Sequence, residues 1–477
     1  MKQDPKRPGK SDTSYHQRHA QAVSPVGTRY STRMSEIFCE SGYLQSILDV
    51  EAESALAISS IYPARIPKRD AMRIRNAASI GKVTPEAVRK MERNVTRHEM
   101  AAIIRVLAGK SGSSGKYVHY TMTSADATET AKALQLKKGL SILIGTAEGL
   151  RDSCINAALE WKDTTAIMRT HGQHAIPASF GFPFAFFAHS LQKHIDRMSY
   201  DLENYVEGKL SGAVGTYDVS TDEGLDGFRI ERELSRRLGI KMSELSTQVP
   251  PRENIAFIIS DIAAFCGRLE AIAHYIKTLK RSEILEMMET PDKGTVGSSA
   301  MPHKDIYGNP FMEERIISIA RTVRGFALTT LESVTSEDMR DLSASLSDRV
   351  IISEAFVLAD YSASMMDNVI KRIEMVPRNV KRNLNMTEGA VAAQRIMSRL
   401  VRKGMARHKA REITANAARK AMESKTSYAE ILLNDKEIWK FLSGNEINEL
   451  ADVSSYTGKS RELIEAMAKR YLGKRNG

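Results

Sequence analysis

ENIAFIISDIAAFCGRLEAIAHYIKTLK, residues 253–280, places Ile255, Ile258, Ile262, Phe265, Leu269, Ile272, Ile276 and Leu279 at alternating steps of three and four. That spacing is one face of an α-helix sustained over about three and a half heptads. A two-stranded coiled coil would flank such a seam with charges. Here Ala256, Ile259, Ala263, Ala264, Cys266, Ala271 and Ala273 widen the apolar face. A helix apolar on more than one side belongs inside a multi-helix bundle.

The same periodicity recurs outward from this stretch. It predicts long helices over 126–160, 183–208, 253–290, 311–335 and 347–375, and a helix over 33–60. A further helix is expected over 85–107, with Pro85 at its first turn, and a loop over GKSGSSGKY, 109–117. After Pro377 the pattern restarts in shorter helices over 378–402, 407–424, 427–434, 444–451 and 459–472. No strands recur at βαβ spacing, and neither G-x-G-x-x-G nor a P-loop occurs. The fold class is therefore all-α. The expected segments are a basic disordered tail at 1–28, an N-terminal helical domain at 29–122, a central long-helix bundle at 123–377 and a C-terminal helical domain at 378–477.

Composition narrows the function classes. The 477 residues are 42% hydrophobic and 27% charged, ordinary for a folded protein. No run of about 18 apolar residues is present, so no membrane partner is expected. The first residues lack an apolar signal core. Cys39, Cys154 and Cys266 are far apart and odd in number, which favours a reducing, cytoplasmic compartment over a disulfide framework. The net charge of +11 suits an anionic partner. The densest basic run, RKGMARHKAR at 402–411, carries no nucleic-acid motif, so a small anionic substrate is expected rather than nucleic acid.

Five polar islands interrupt the helices: TRHEM (96–100), YVHYTMTSADATET (117–130), MRTHGQHAIPASFG (168–181), GTVGSSAMPHKDIYGNP (294–310) and SEDMRDLSASLSDR (336–349). Any one of them could be a set of helix caps. Metal ligation is disfavoured, because Gly172 and Pro177 break the helix that a His171/His174 pair would need, and no HExxH occurs. No G-x-S-x-G elbow is present. Acid–base chemistry remains: a histidine acid, a serine in a Gly-bounded loop, and Lys/Arg to hold anions.

GSSAMPHK…NP resembles the GSSxMPxKxNP signature of the fumarase/aspartase superfamily. MRTHGQHAIPASFG, YTMTSADATET and KLSGAVGT (209–216) resemble its other motifs, in the same order. RYS at 29–31, RH at 97–98, STQ…R at 246–252, RDLSASLSDR at 340–349 and the 380–407 segment are similar to those members that act on succinylated nucleotides. The resemblance runs from about residue 29 to the mid-420s. It implies the three-domain lyase fold, with a long central bundle completed by tetramerisation and active sites shared between subunits. The implied reaction is an anti β-elimination of fumarate from a succinyl group on nitrogen, with no metal or organic cofactor.

The resemblance also implies roles. Ser298, or its neighbour Ser299, would be the base, and His171 the acid, oriented by Glu314. Arg97 and His98 would lie beside the substrate, with His98 as an assisting catalytic group. Lys304 and Asn309 would hold the succinyl carboxylates with Thr123, Ser124, Thr170 and Gln248. Arg29, Tyr30, Arg340, Ser345 and Arg349 would hold a phosphate, for which the planar guanidinium fork is suited. Lys304 and Asn309 are separated by Asp305-Ile306-Tyr307-Gly308, three residues longer than the family spacing, and Glu99 stands where Asp is frequent. The loop is expected to close over substrate. The rival readings are an argininosuccinate lyase or carboxymuconate cycloisomerase type, and a non-catalytic homologue.

Overall fold

The structure is a computed structural model that describes residues 24–290, 300–301, 303–304 and 308–473. The helices used below are α1 (Glu40–Ile61), α2 (Glu99–Ser111), α3 (Ser124–Glu160), α4 (Phe182–Asn204), α5 (Glu253–Leu279), α6 (Phe311–Glu332), α7 (Ser345–Arg372), α8 (Ala393–Arg402) and α9 (Arg407–Ser424). Strand β1 (Thr165–Thr170) pairs antiparallel with β2 (Gln173–Ser179), and β3 (Met287–Glu289) with β4 (Ile373–Met375). Glu207–Gly208 and Lys241–Met242 form a short parallel pair. The fold is all-α, with these small two-stranded additions among the described residues.

The chain divides into two compact units. The first comprises 1–147, 193–269 and 316–364, and the second 148–192, 270–315 and 365–477. Both cut across the consecutive segments read from the sequence, because each takes a stretch of α3, α4, α5, α6 and α7. In the first unit Ile258, Ile259, Ile262, Phe265 and Leu269 of α5 are fully buried. Burial of each such side chain contributes roughly 1.5–3 kcal/mol. Ala256 and Cys266 are buried with them, which accounts for the widened apolar face. In the second unit a separate core gathers Ile396, Leu400, Tyr428, Leu432, Ile438 and Ile447.

Several expected elements differ in detail. Residues 24–28, read as tail, include a turn of helix at Val26–Arg29, and Ser24 Oγ donates to Glu354 Oε1 at 3.0 Å. The helix expected over 85–107 is broken at Arg97, whose φ of 56° is left-handed. The expected loop 109–117 is instead the end of α2 followed by a 3₁₀ helix over Gly112–Tyr117. Its fully buried Ser114 donates to Asp70 Oδ1 at 2.7 Å, so the serines anchor the segment. The helix expected to reach 290 ends at Leu279, because Met287–Glu289 pair with Ile373–Met375. Ser298, Ser299 and the expected loop closure lie outside the described residues.

Candidate active site

In the first unit, α7 begins at Ser345 beside a cleft of about 420 Å³ that Arg340, Ser345 and Arg349 line together. The turn before the helix is locked by Asp341, which accepts from Ser343 N and Glu337 N at 2.6 Å each. Hydrogen bonds from Ser343 and the Glu337 backbone lower the Asp341 carboxyl to about 2. Arg340 Nη1 donates to Gln248 Oε1 at 2.9 Å, and Gln248 Nε2 donates to Ala213 O at 3.1 Å. Two arginines at a helix N-terminus present forked N–H donors and the positive end of the helix dipole to one anion.

Sequence reading gave no role to the layer beneath. Asp348 accepts from Arg252 Nη1 and Nη2 at 3.0 and 2.7 Å, and from Lys132 Nζ at 3.0 Å. Burial would raise the Asp348 carboxyl, but Lys132 and Arg252 outweigh it and hold it low. A buried carboxylate saturated in this way fixes the first turn of α7. Arg252 and Asp348 lay within quoted motifs and could have been found there. Lys132 had no signal beyond its place on a helix.

His98 caps α2, its Nδ1 accepting from Ala101 N at 3.2 Å. The neutral ring therefore carries its proton on Nε2. The adjacent Glu99 accepts from Arg349 Nη2 at 2.6 Å. At the start of α3, Asp126 Oδ2 accepts from Thr123 N at 2.8 Å, the back half of a capping box. Asp126 Oδ1 accepts from Ser211 N at 3.1 Å and is paired with Lys209, and both side chains are fully buried. Lys209 Nζ also donates to Gly212 O at 2.8 Å. The KLSGAVGT stretch is thus tied to the Thr123–Ser124 turn. Tyr30 packs edge-on against Tyr361 at 5.2 Å, and Arg29 ends the helical turn before it.

In the second unit, β1 and β2 form a hairpin whose two-residue loop is His171–Gly172, flanked by the pair Thr170↔Gln173. Both loop residues have positive φ, 54° and 73°. This matches the twist of the strands and puts His171, exposed, at the hairpin tip. A left-handed non-glycine residue costs conformational energy, and such positions gather at functional sites. Arg169 anchors the hairpin by donating two hydrogen bonds to Glu286, at 2.6 and 3.0 Å, and Asn383 Nδ2 donates to the same carboxylate at 2.7 Å. Lys304 is exposed, with its N donating to Met301 O at 3.1 Å. Asn309 O accepts from Phe311 N at 2.9 Å, and Glu314 is paired with Lys277 at 2.8 Å. Of the longer signature spacing, Gly308 is described. Its φ is +68° and a Cβ there would lie 2.7 Å from Glu289 O, so glycine is required. Among the described residues no group of three or more His, Cys, Asp or Glu is placed to hold a metal ion, and no helix is long and apolar enough to cross a membrane.

Solved structures share this fold. A fumarate lyase from Mesorhizobium sp. BNC1 is 24% identical with a TM-score of 0.81, covering 92% of this chain and 97% of its own. A 3-carboxy-cis,cis-muconate lactonizing enzyme from Pseudomonas putida is 24% identical with a TM-score of 0.82 and the same coverages. These likenesses show a shared all-α fold. The family described as "Lyase" matches residues 28–325, and that described as "Adenylosuccinate lyase C-terminus" matches 389–467. Proteins named adenylosuccinate lyase are 35% identical in Pyrococcus abyssi, over 93% of this chain and 97% of the relative, and 33% identical in Methanocaldococcus jannaschii, over 95% and 97%. The chain belongs to the adenylosuccinate lyase family and is an enzyme of the lyase class.

Proposed function

We propose that the chain eliminates fumarate from adenylosuccinate to give AMP, and from succinyl-aminoimidazole carboxamide ribotide in the same way, within purine biosynthesis. The observation that carries the nucleotide reading is the cleft at the start of α7, where Arg340, Ser345 and Arg349 meet. Neither argininosuccinate nor a carboxymuconate offers a phosphate for that group of donors.

In the proposed chemistry Ser298 or Ser299 removes a proton from Cβ of the succinyl group. That electron pair becomes the C=C bond of fumarate. The C–N pair leaves with nitrogen, which takes its proton from His171. Charge building on the carboxylate is met by Lys304, Asn309, Thr123, Ser124 and Thr170. Arg29, Tyr30, Arg340, Ser345 and Arg349 hold the phosphate, with Gln248 steadying Arg340. Arg97 and His98 border the substrate, and His98 offers its Nε2 proton. Glu314 charges and orients His171 once its present partner Lys277 is exchanged.

The proposed assembly is a cytoplasmic homotetramer of three-domain subunits, with sites shared between subunits. Its support is a stripe on α5: Phe257, Ala264 and Ala271 recur every seven residues and are exposed in the single chain. Leu328 and Leu331 of α6 and Leu346 and Val350 of α7 are also exposed. Apolar faces of this kind are covered by further copies of the chain.

The test is fumarate release from purified protein given adenylosuccinate, with argininosuccinate in parallel. Turnover of adenylosuccinate supports the reading. Turnover of argininosuccinate alone, or of neither, contradicts it.

A further inference from the structure

The second unit contains a cavity that the proposed reaction does not use. It measures about 400 Å³ and is lined by α8, by Ile176 and Pro177 of β2, and by Leu450, Val453 and Tyr456. Helix α8 buries Ile396 and Leu400 in the core. A flanking face offers Arg395, Arg399 and Arg402, spaced i, i+4 and i+7 and therefore stacked along one side. No Asp or Glu lines the cavity. Arg402 also opens the basic run 402–411, the densest of the chain, to which the lyase reading gives no task.

The three arginines are not equally committed. Arg395 is structural: its Nη1 donates to Leu450 O at 2.9 Å and Asp452 O at 3.1 Å, and its guanidinium lies 4.2 Å from the Tyr456 ring centroid. Arg399 is only loosely held, 3.7 Å from Glu446 Oε1. That carboxylate is taken more tightly by Lys403 Nζ at 2.7 Å and by Ser443 N at 3.0 Å. The Arg402 side chain is exposed and, among the described residues, makes no hydrogen bond or ion pair. Two guanidinia three residues apart, with little to neutralise them, are a phosphate-gripping pair. The facing wall is apolar: Ile176, Pro177, Val391, Leu450 and Val453. A bare phosphate would leave that wall in water, whereas a pocket of this size suits a small organic ligand.

We propose that this groove binds a nucleoside monophosphate, with its phosphate on Arg399 and Arg402 and its base and ribose against Ile176 and the apolar wall. The ligand would rest on β2, the strand that leaves the His171–Gly172 turn. It would thereby contact the hairpin that carries the proposed acid. Binding in the groove does not depend on the lyase reading.

The experiment is equilibrium dialysis of the full chain against AMP. Arg399→Ala/Arg402→Ala should lose one equivalent of AMP per chain relative to wild type, with kcat/KM for fumarate release within two-fold of wild type. Both side chains lie on the surface of α8, so the fold should persist. Arg349→Ala should remove a different equivalent, the one in the first-unit cleft. If Arg349→Ala removes none while the double variant still loses one, the cleft reading fails and the groove stands. If the double variant binds as much AMP as wild type, the groove proposal is overturned. Inorganic phosphate at equal concentration should not displace the groove-bound AMP. Full displacement would overturn the nucleoside part of the assignment.

Discussion

Arg349 donates from Nη2 to Glu99 Oε2 at 2.6 Å, so an arginine proposed to grip the substrate's phosphate already holds a carboxylate. Both partners are partly exposed, at 58% and 32% of the side chain. Ion pairs this open are worth about 0–1 kcal/mol, little enough for an entering phosphate to displace. Glu99→Gln removes the competitor. Inorganic phosphate should then inhibit fumarate release with an inhibition constant roughly two- to five-fold lower, the factor that about 1 kcal/mol permits. Unchanged inhibition would contradict the exchange.

His171 has a left-handed backbone and, in the proposed chemistry, gives a proton to the leaving nitrogen. Asparagine tolerates the backbone but cannot supply the proton. His171→Asn should therefore keep the wild-type unfolding midpoint while kcat falls by about 10²–10⁴-fold, the usual scale for a general acid. Retained activity would remove His171 from the acid role.

His119 has a positive φ and its Nδ1 lies 2.7 Å from the buried Glu51 Oε1. Burial alone would lower the imidazole pKa; the hydrogen bond and charge of Glu51 outweigh it and raise the value. A raised folded pKa means that the pair contributes fully below about 6.5, the unfolded value, and its contribution is lost as pH rises through the folded value. The destabilisation caused by Glu51→Gln should accordingly be larger at pH 6 than at pH 9, read from urea unfolding. Equal losses at both would refute the pairing.

Asp201 has the same pH sign for a different reason. Its carboxylate is fully buried on α4, with Arg197 Nη2 3.7 Å away. Burial first, and then the charge of Asp261, raise its pKa to about 7. Between about pH 4 and that value the unfolded chain has released a proton that the folded chain keeps, so this group's contribution falls as pH rises. Asp201→Asn should gain stability relative to wild type on going from pH 5 to pH 8. A variant less stable than wild type by the same margin at both would contradict the assignment.

The sequence made the long helices legible because their apolar residues repeat with a fixed local period, as along Ile255–Leu279. It was less informative where structure depends on distant partners. Met287–Glu289 look like the continuation of α5, and only their pairing with residues 373–375 makes them a strand. The His171 hairpin escaped because His-Gly is an unusual two-residue loop beside the common Asn-Gly. In the candidate site, Arg340, Ser345 and Arg349 were readable from a motif and do share one cleft. The buried ties, Lys132 to Asp348 beneath them and Lys209 to Asp126 at the start of α3, were not. A buried lysine and a surface lysine look alike until the fold supplies the carboxylate.

The central claim is that a nucleotide phosphate sits against Arg340 at the start of α7. Steady-state kinetics of Arg340→Ala with adenylosuccinate tests it most directly. Loss of a charge-assisted hydrogen bond costs about 1.5–3 kcal/mol. The account therefore predicts a KM raised by roughly 10- to 100-fold, with kcat changed no more than a few-fold. An unchanged KM would contradict it.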